Sequence, residues 1–135
     1  MGPQERIGVK RRAVSRCGLA LAAGCLGATV RTANATPSAA EAKLIESLID
    51  HVGAMSQAVF IRNGASATAA QAAAHLRDKY DYYRDDIATA EDFIRLCGTR
   101  SVMSGRPYSV RMPDGTERPT AVLLEARLRE LRARS

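Results

Sequence analysis

A break near residue 35 constrains this 135-residue chain more than any other feature. Lys10, Arg11, Arg12 and Arg16 make a basic head, and Cys17–Val30 follows as an apolar run of small residues. The run ends at Ala33-Asn34-Ala35, the small-x-small pattern that a signal peptidase cuts. Residues 1–35 are therefore expected to be a signal peptide and 36–40 a short polar spacer. That leaves 41–135 as the folded part. About 100 residues suffice for one hydrophobic core and hardly for two. The expectation is one small domain, periplasmic or secreted in a bacterium.

The same break reorganises the charge. The whole chain carries a formal +6, with 20 basic and 14 acidic residues. Six of the basic residues precede Thr36, opposed by Glu5 alone, so the remainder stands at +1. Nucleic-acid binders carry a basic face or stripe, and a near-neutral body argues against that class. The apolar run has 14 residues, short of the roughly 20 that cross a bilayer. No transmembrane span is expected in the mature form. Cys17 and Cys25 fall in the leader, leaving Cys97 without an intramolecular disulfide partner after cleavage. Leu21-Ala22-Ala23-Gly24-Cys25 resembles a lipobox, but Ala22 stands where a branched residue is usual. An acylated Cys25 is thus the alternative to cleavage after Ala35. Arg11-Arg12 also leaves Sec and twin-arginine export as alternatives.

Periodicity predicts the elements. Leu44, Ile45, Leu48, Ile49, Val52 and Met55 form a one-sided helical stripe over 41–56. Ala58–Ile61 is a β-prone run closed by the turn pair Asn63-Gly64. Ser66 or Thr68 caps a second helix running to about Tyr83, with Ala69, Ala72, Ala73, Leu76, Tyr80 and Tyr83 inward. Thr89 and Asp92 have capping-box spacing and open a short helix through Phe93, Ile94 and Cys97, with Gly98 as a left-handed cap. Cys97 thereby reads as a buried small hydrophobe. Tyr108–Met112, Pro113-Asp114-Gly115 and Thr116–Arg118 form a hairpin. A last helix from Pro119-Thr120 uses Val122, Leu124, Leu128 and Leu131, with Glu125–Arg129 and Glu130–Arg134 as i,i+4 pairs. The fold class is α+β: about four helices with a small antiparallel sheet or hairpin.

The candidates for chemistry are few. His51, His75 and Cys97 lack the spacing of a zinc site, and the aspartates of 78–86 lack that of a calcium loop. Neither a metal nor a cofactor is expected. Ser101, Ser104, His75 and Lys79 supply the residue types of a serine hydrolase without a G-x-S-x-G motif. In the loop Ser101–Tyr108, Arg106 offers a planar set of donors and Tyr108 a ring with a polar tip. That loop is expected either to form the main recognition edge or merely to pack against the hairpin.

Four segments in order, FIRNG (60–64), AxxHLRDKY (72–80), TAEDFI (89–94) and SxxSGRPY (101–108), resemble the YfeK-like family of bacterial envelope proteins, a domain of unknown function. The resemblance covers 41–131 and implies an exported single domain. It points to Arg62, Asn63, His75, Lys79, Ser104, Gly105 and Tyr108, and brings no known reaction. The resulting expectation is a non-catalytic periplasmic binding or accessory domain for an envelope ligand or protein. Arg62, His75, Lys79, Ser104, Arg106 and Tyr108 are its ligand-binding candidates. The alternative is a small periplasmic hydrolase using Ser104 with His75 or Lys79.

Ala33 and Ala35 fit the small pockets of the peptidase, and Pro37 disfavours continuation of a helix. The mature protein is therefore expected to begin at Thr36. Intact-mass measurement of the exported protein checks this; an acylated N-terminus at Cys25 would overturn it.

Overall fold

The computed structural model describes residues 35–135. The expected leader, including Cys25 and all of the cleavage pattern except Ala35, lies outside the described residues. Helix α1 (Ala39–Ala54) starts two residues before the expected Glu41, because Ser38 accepts the Glu41 N–H and so caps it. Ile45, Leu48, Ile49 and Val52 are fully buried along one face.

Strand β1 (Val59–Arg62) turns through Asn63-Gly64 into β2 (Ala65–Ala67). Asn63 and Gly64 have φ of 54° and 80°. Two left-handed residues in succession give the type I′ turn, whose twist matches that of paired strands, and Asn-Gly is its preferred sequence. Ser66 consequently lies in a strand, and Thr68 is the cap of α2 (Ala69–Tyr82), in a full capping box with Gln71. A single 3-10 turn (Arg84–Asp86) leads to α3 (Ala90–Cys97), capped by Thr89 and Asp92 as their spacing predicts.

Strands β3 (Ser109–Arg111) and β4 (Glu117–Pro119) form the second hairpin, and α4 (Thr120–Ala133) closes the chain. The two hairpins join through β1 and β3 into one antiparallel sheet of order β2-β1-β3-β4. Phe60 lies opposite Val110 in that central pair, and both are buried under the helices. Alternation places Tyr108, Arg62 and Ala67 on the same face. Among the described residues, four α-helices and a four-stranded antiparallel sheet bear out the α+β expectation.

Two details correct the sequence reading. Gly98 has φ −105°, so it is not a left-handed cap. A Cβ there would lie 2.5 Å from Leu124 Cδ1, and the glycine instead lets α3 and α4 approach closely. In α4, Val122 is exposed and Leu123 is buried beside Leu124 and Leu128. The pairing there also differs. Glu130 meets Arg127 rather than Arg134, while Arg132 spans to Glu41 at 3.0 Å and Glu91 at 2.7 Å. Glu41 additionally accepts the Ala90 N–H at the start of α3. One guanidinium thus clasps α1, α3 and α4, and holds both carboxyls below their usual range.

Leu48 and Leu76 sit in this core as their periodicity requires, 0% and 4% exposed. Leu48→Ala is expected to lower stability by about 2–5 kcal/mol in urea melts, through lost burial and a residual cavity. A loss below about 1 kcal/mol would mean that this face does not carry the core.

Candidate functional site

Positions 72, 75, 76 and 79 of α2, with 83 as its C-cap, recur every three or four residues, which places them on one face. His75 and Lys79 on this face meet the segment before β3. Its most unusual member is Lys79, only 8% exposed. The ammonium donates to the Tyr108 hydroxyl at 3.1 Å and to the Arg100 carbonyl at 3.1 Å. It also lies 5.1 Å from the centroid of the Tyr108 ring, a cation–π contact. Among the described residues both hydrogen-bond partners are neutral oxygens. Burial therefore pushes the Lys79 pKa down, opposed by Cys97 and Tyr83 and aided by the positive charge of Arg62.

One turn earlier, His75 Nε2 lies 3.2 Å from the same hydroxyl, and the two rings meet edge to face. Burial lowers the His75 pKa, with Arg62 and Lys79 adding to the shift and Asp78 opposing it. Tyr108 is 7% exposed, and its pKa is raised by burial against the pull of Arg62. The structure thus brings His75, Tyr108 and Lys79 into one chain of polar contacts, with Arg62 close enough for its charge to act on all three.

A cleft of about 370 Å³ opens beside this chain, between the β1–β2 hairpin and α2. Val52, Phe60 and Leu76 supply an apolar lining, while Arg62, His75 and Tyr108 supply polar groups. A largely apolar concavity with a few convergent polar groups is the usual build of a small-ligand site.

The remaining candidates form a separate knot. The Ser104 hydroxyl donates to Asn63 Oδ1, and the Asn63 amide donates to Ser101 Oγ at 3.3 Å. Arg106 gives its backbone N–H to Ser104 Oγ, and its carbonyl accepts from the Ser101 N–H. Asn63 therefore ties the β1–β2 turn to the loop before β3. The structure accordingly divides the loop read as a single recognition edge or a hairpin-packing segment. Tyr108 lines the cleft, whereas Ser104 and the exposed Arg106 lie outside its lining. Ser104 is spent on the knot, and His75 and Lys79 converge on Tyr108 instead, a departure from the pairing that a serine hydrolase needs. Cys97 is buried, and its pKa is pushed up to about 12 by burial, leaving a protonated and unreactive thiol.

The buried state of Lys79 went unread in the sequence, although its spacing from Leu76 and Tyr83 carried the signal. Ser66, Gln71 and Thr120 also line the cleft and had no such signal. Among the described residues, no three potential metal ligands cluster and no helix is long and apolar enough to cross a membrane.

Residues 39–132, nearly the whole described domain, match a family described as "Family of unknown function (DUF5329)". The chain belongs to this family. The DUF5329 domain here is also similar to "Uncharacterized protein YfeK" of Salmonella typhimurium, with 32% identity over 74 residues. That match covers 55% of this chain and 62% of the relative, so less than two thirds of the relative's length is spanned. No solved structure matches the chain. The YfeK-like membership expected from the four DUF5329 segments is borne out.

The buried cation makes the two ends of its hydrogen bond unequal. Tyr108→Phe leaves the ammonium with the Arg100 carbonyl alone and is expected to cost about 1–3 kcal/mol. Lys79→Met removes the charge with the need for a partner and is expected to cost less, since an apolar isostere relieves desolvation. Paired urea melts check the order; a larger loss for Lys79→Met would reverse this account.

Proposed function

We propose that this domain is a non-catalytic binding module of the bacterial envelope, and that the cleft between the β1–β2 hairpin and α2 is where it takes a small amphipathic ligand. The observation that carries this reading is the pairing of an apolar floor with Arg62 and His75 in one concavity. Apolar area there supplies affinity without direction, and the two polar side chains orient the ligand. The basic head, the apolar run and the Ala33-Asn34-Ala35 pattern support a place outside the cytoplasm. Once exported, such a domain meets peptides, sugars and lipid-derived molecules rather than nucleotide cofactors.

Ala72 lines the cleft on α2, so enlarging it fills the cavity while leaving Arg62 and His75 in place. The anionic dye 1-anilinonaphthalene-8-sulfonate serves as a probe, with circular dichroism confirming that each sample is folded. Fluorescence titration is expected to show saturable binding to the parent and at least about tenfold weaker binding to Ala72→Leu. Equal binding by a folded Ala72→Leu protein would place the dye elsewhere and remove the cleft from the functional account.

A further inference from the structure

We propose that Lys79, acting through Tyr108, holds His75 as its Nδ1–H tautomer, and that this N–H and the Arg62 guanidinium make the cleft a receptor for the carboxylate of an amphipathic monoacid. The inference rests on the cleft being the ligand site.

The direction of each hydrogen bond follows from what each group is able to do. An ammonium only donates, so the Tyr108 oxygen accepts from Lys79 at 3.1 Å. The phenol proton must then leave toward another acceptor. Among the described residues, the group in reach is His75 Nε2 at 3.2 Å. To accept that proton, Nε2 must carry a lone pair, which puts the ring proton of a neutral His75 on Nδ1. The opposite tautomer would aim two N–H donors at one phenol oxygen and leave the phenol proton to the open cleft, with no protein acceptor among the described residues. Lys79 and Tyr108 are thus positioning residues. They convert the half-buried His75 on the cleft wall from an amphoteric ring into a group with one fixed donor outside the chain.

Arg62 completes the donor set. It follows Phe60 by two positions on β1, so it faces the helices, and it lines the same cleft. The charged groups acting on His75 are Arg62, Lys79 and Asp78, a balance that favours an anion. One fixed N–H and one planar cation match a carboxylate, whose two oxygens accept from a guanidinium fork and an imidazole together. The apolar lining from Val52, Phe60 and Leu76 suits a hydrocarbon chain attached to that head.

Two measurements on the protein test this. With histidine labelled by ¹⁵N, long-range proton–nitrogen correlation spectra at neutral pH read the tautomer of His75 directly. The Nδ1–H form is expected in the parent. The Nε2–H form, preferred by free histidine, is expected to return in Tyr108→Phe and to gain population in Lys79→Met. An Nε2–H His75 in the parent overturns the proposal whether or not either variant folds. The second measurement compares octanoate with 1-octanol by amide shift titration. Octanoate is expected to bind at least about tenfold more tightly, with the shifts centred on β1 and α2, and Arg62→Gln is expected to abolish that preference. Equal binding of both probes in the cleft would overturn carboxylate recognition and leave the cleft as a binding site. Binding of neither probe there would overturn the cleft reading as well.

Discussion

Among the described residues the buried ammonium of Lys79 meets no carboxylate, and the surrounding elements are arranged to satisfy it. A buried charge persists only where its donors are met. The groups that meet it are the Arg100 carbonyl and the Tyr108 hydroxyl, from the segment that runs into β3. This fixes α2 against that segment at a point where apolar packing alone would permit sliding. Tyr108 in turn donates its backbone N–H to Thr99 and accepts from Thr120 at the start of α4. One desolvated cation therefore sets the seating of α2, the entrance to the second hairpin and the origin of the last helix.

The same interaction sets two of the polar groups that line the cleft, His75 and Tyr108. His75 is held by the Tyr108 hydroxyl, while the apolar residues come from α1, β1 and α2. Arg62 reaches the space because the Asn63-Gly64 turn ends β1 immediately after it. The knot of Asn63, Ser101 and Ser104 then anchors the turn to the loop before β3. Residues first grouped by sequence as a candidate site thus separate into two kinds. His75 and Tyr108 line the cleft with Lys79 behind them, outside its lining, and Asn63 and Ser104 hold its frame.

Much of the fold was legible because short-range rules dominate it. The stripe from Ile45 to Val52, the Asn63-Gly64 turn, the Thr89–Asp92 box and the Pro113-Asp114-Gly115 turn all report geometry set within a few residues. Strand β2 was not legible: Ala65-Ser66-Ala67 has little intrinsic strand preference and is extended because it pairs with β1. In α4, Val122 and Leu123 are both apolar, and only the elements packed against the helix decide which is buried. Gly98 carried a local signal for a cap, but its neighbour Leu124 is distant in sequence. The site was harder for the same reason. Its residues could be named from the family-like segments, yet the burial of Lys79 and the division between Tyr108 and Ser104 are tertiary facts. The Arg132 clasp was hidden likewise, since local helix pairs were expected and partners on α1 and α3 prevailed.

The order β2-β1-β3-β4 also bears on how the domain assembles. Each hairpin closes over a few residues, whereas the central pairing of Phe60 with Val110 must wait for α2 and α3 to be accommodated between them. Loop closure of that length carries an entropic cost before any contact returns it. Until then β1 and β3 each present an unpaired edge beside apolar side chains, the form most open to pairing with another chain. The domain crosses this interval whenever it folds from an extended state. Its vulnerable moment is therefore the docking of two finished hairpins rather than the formation of any helix.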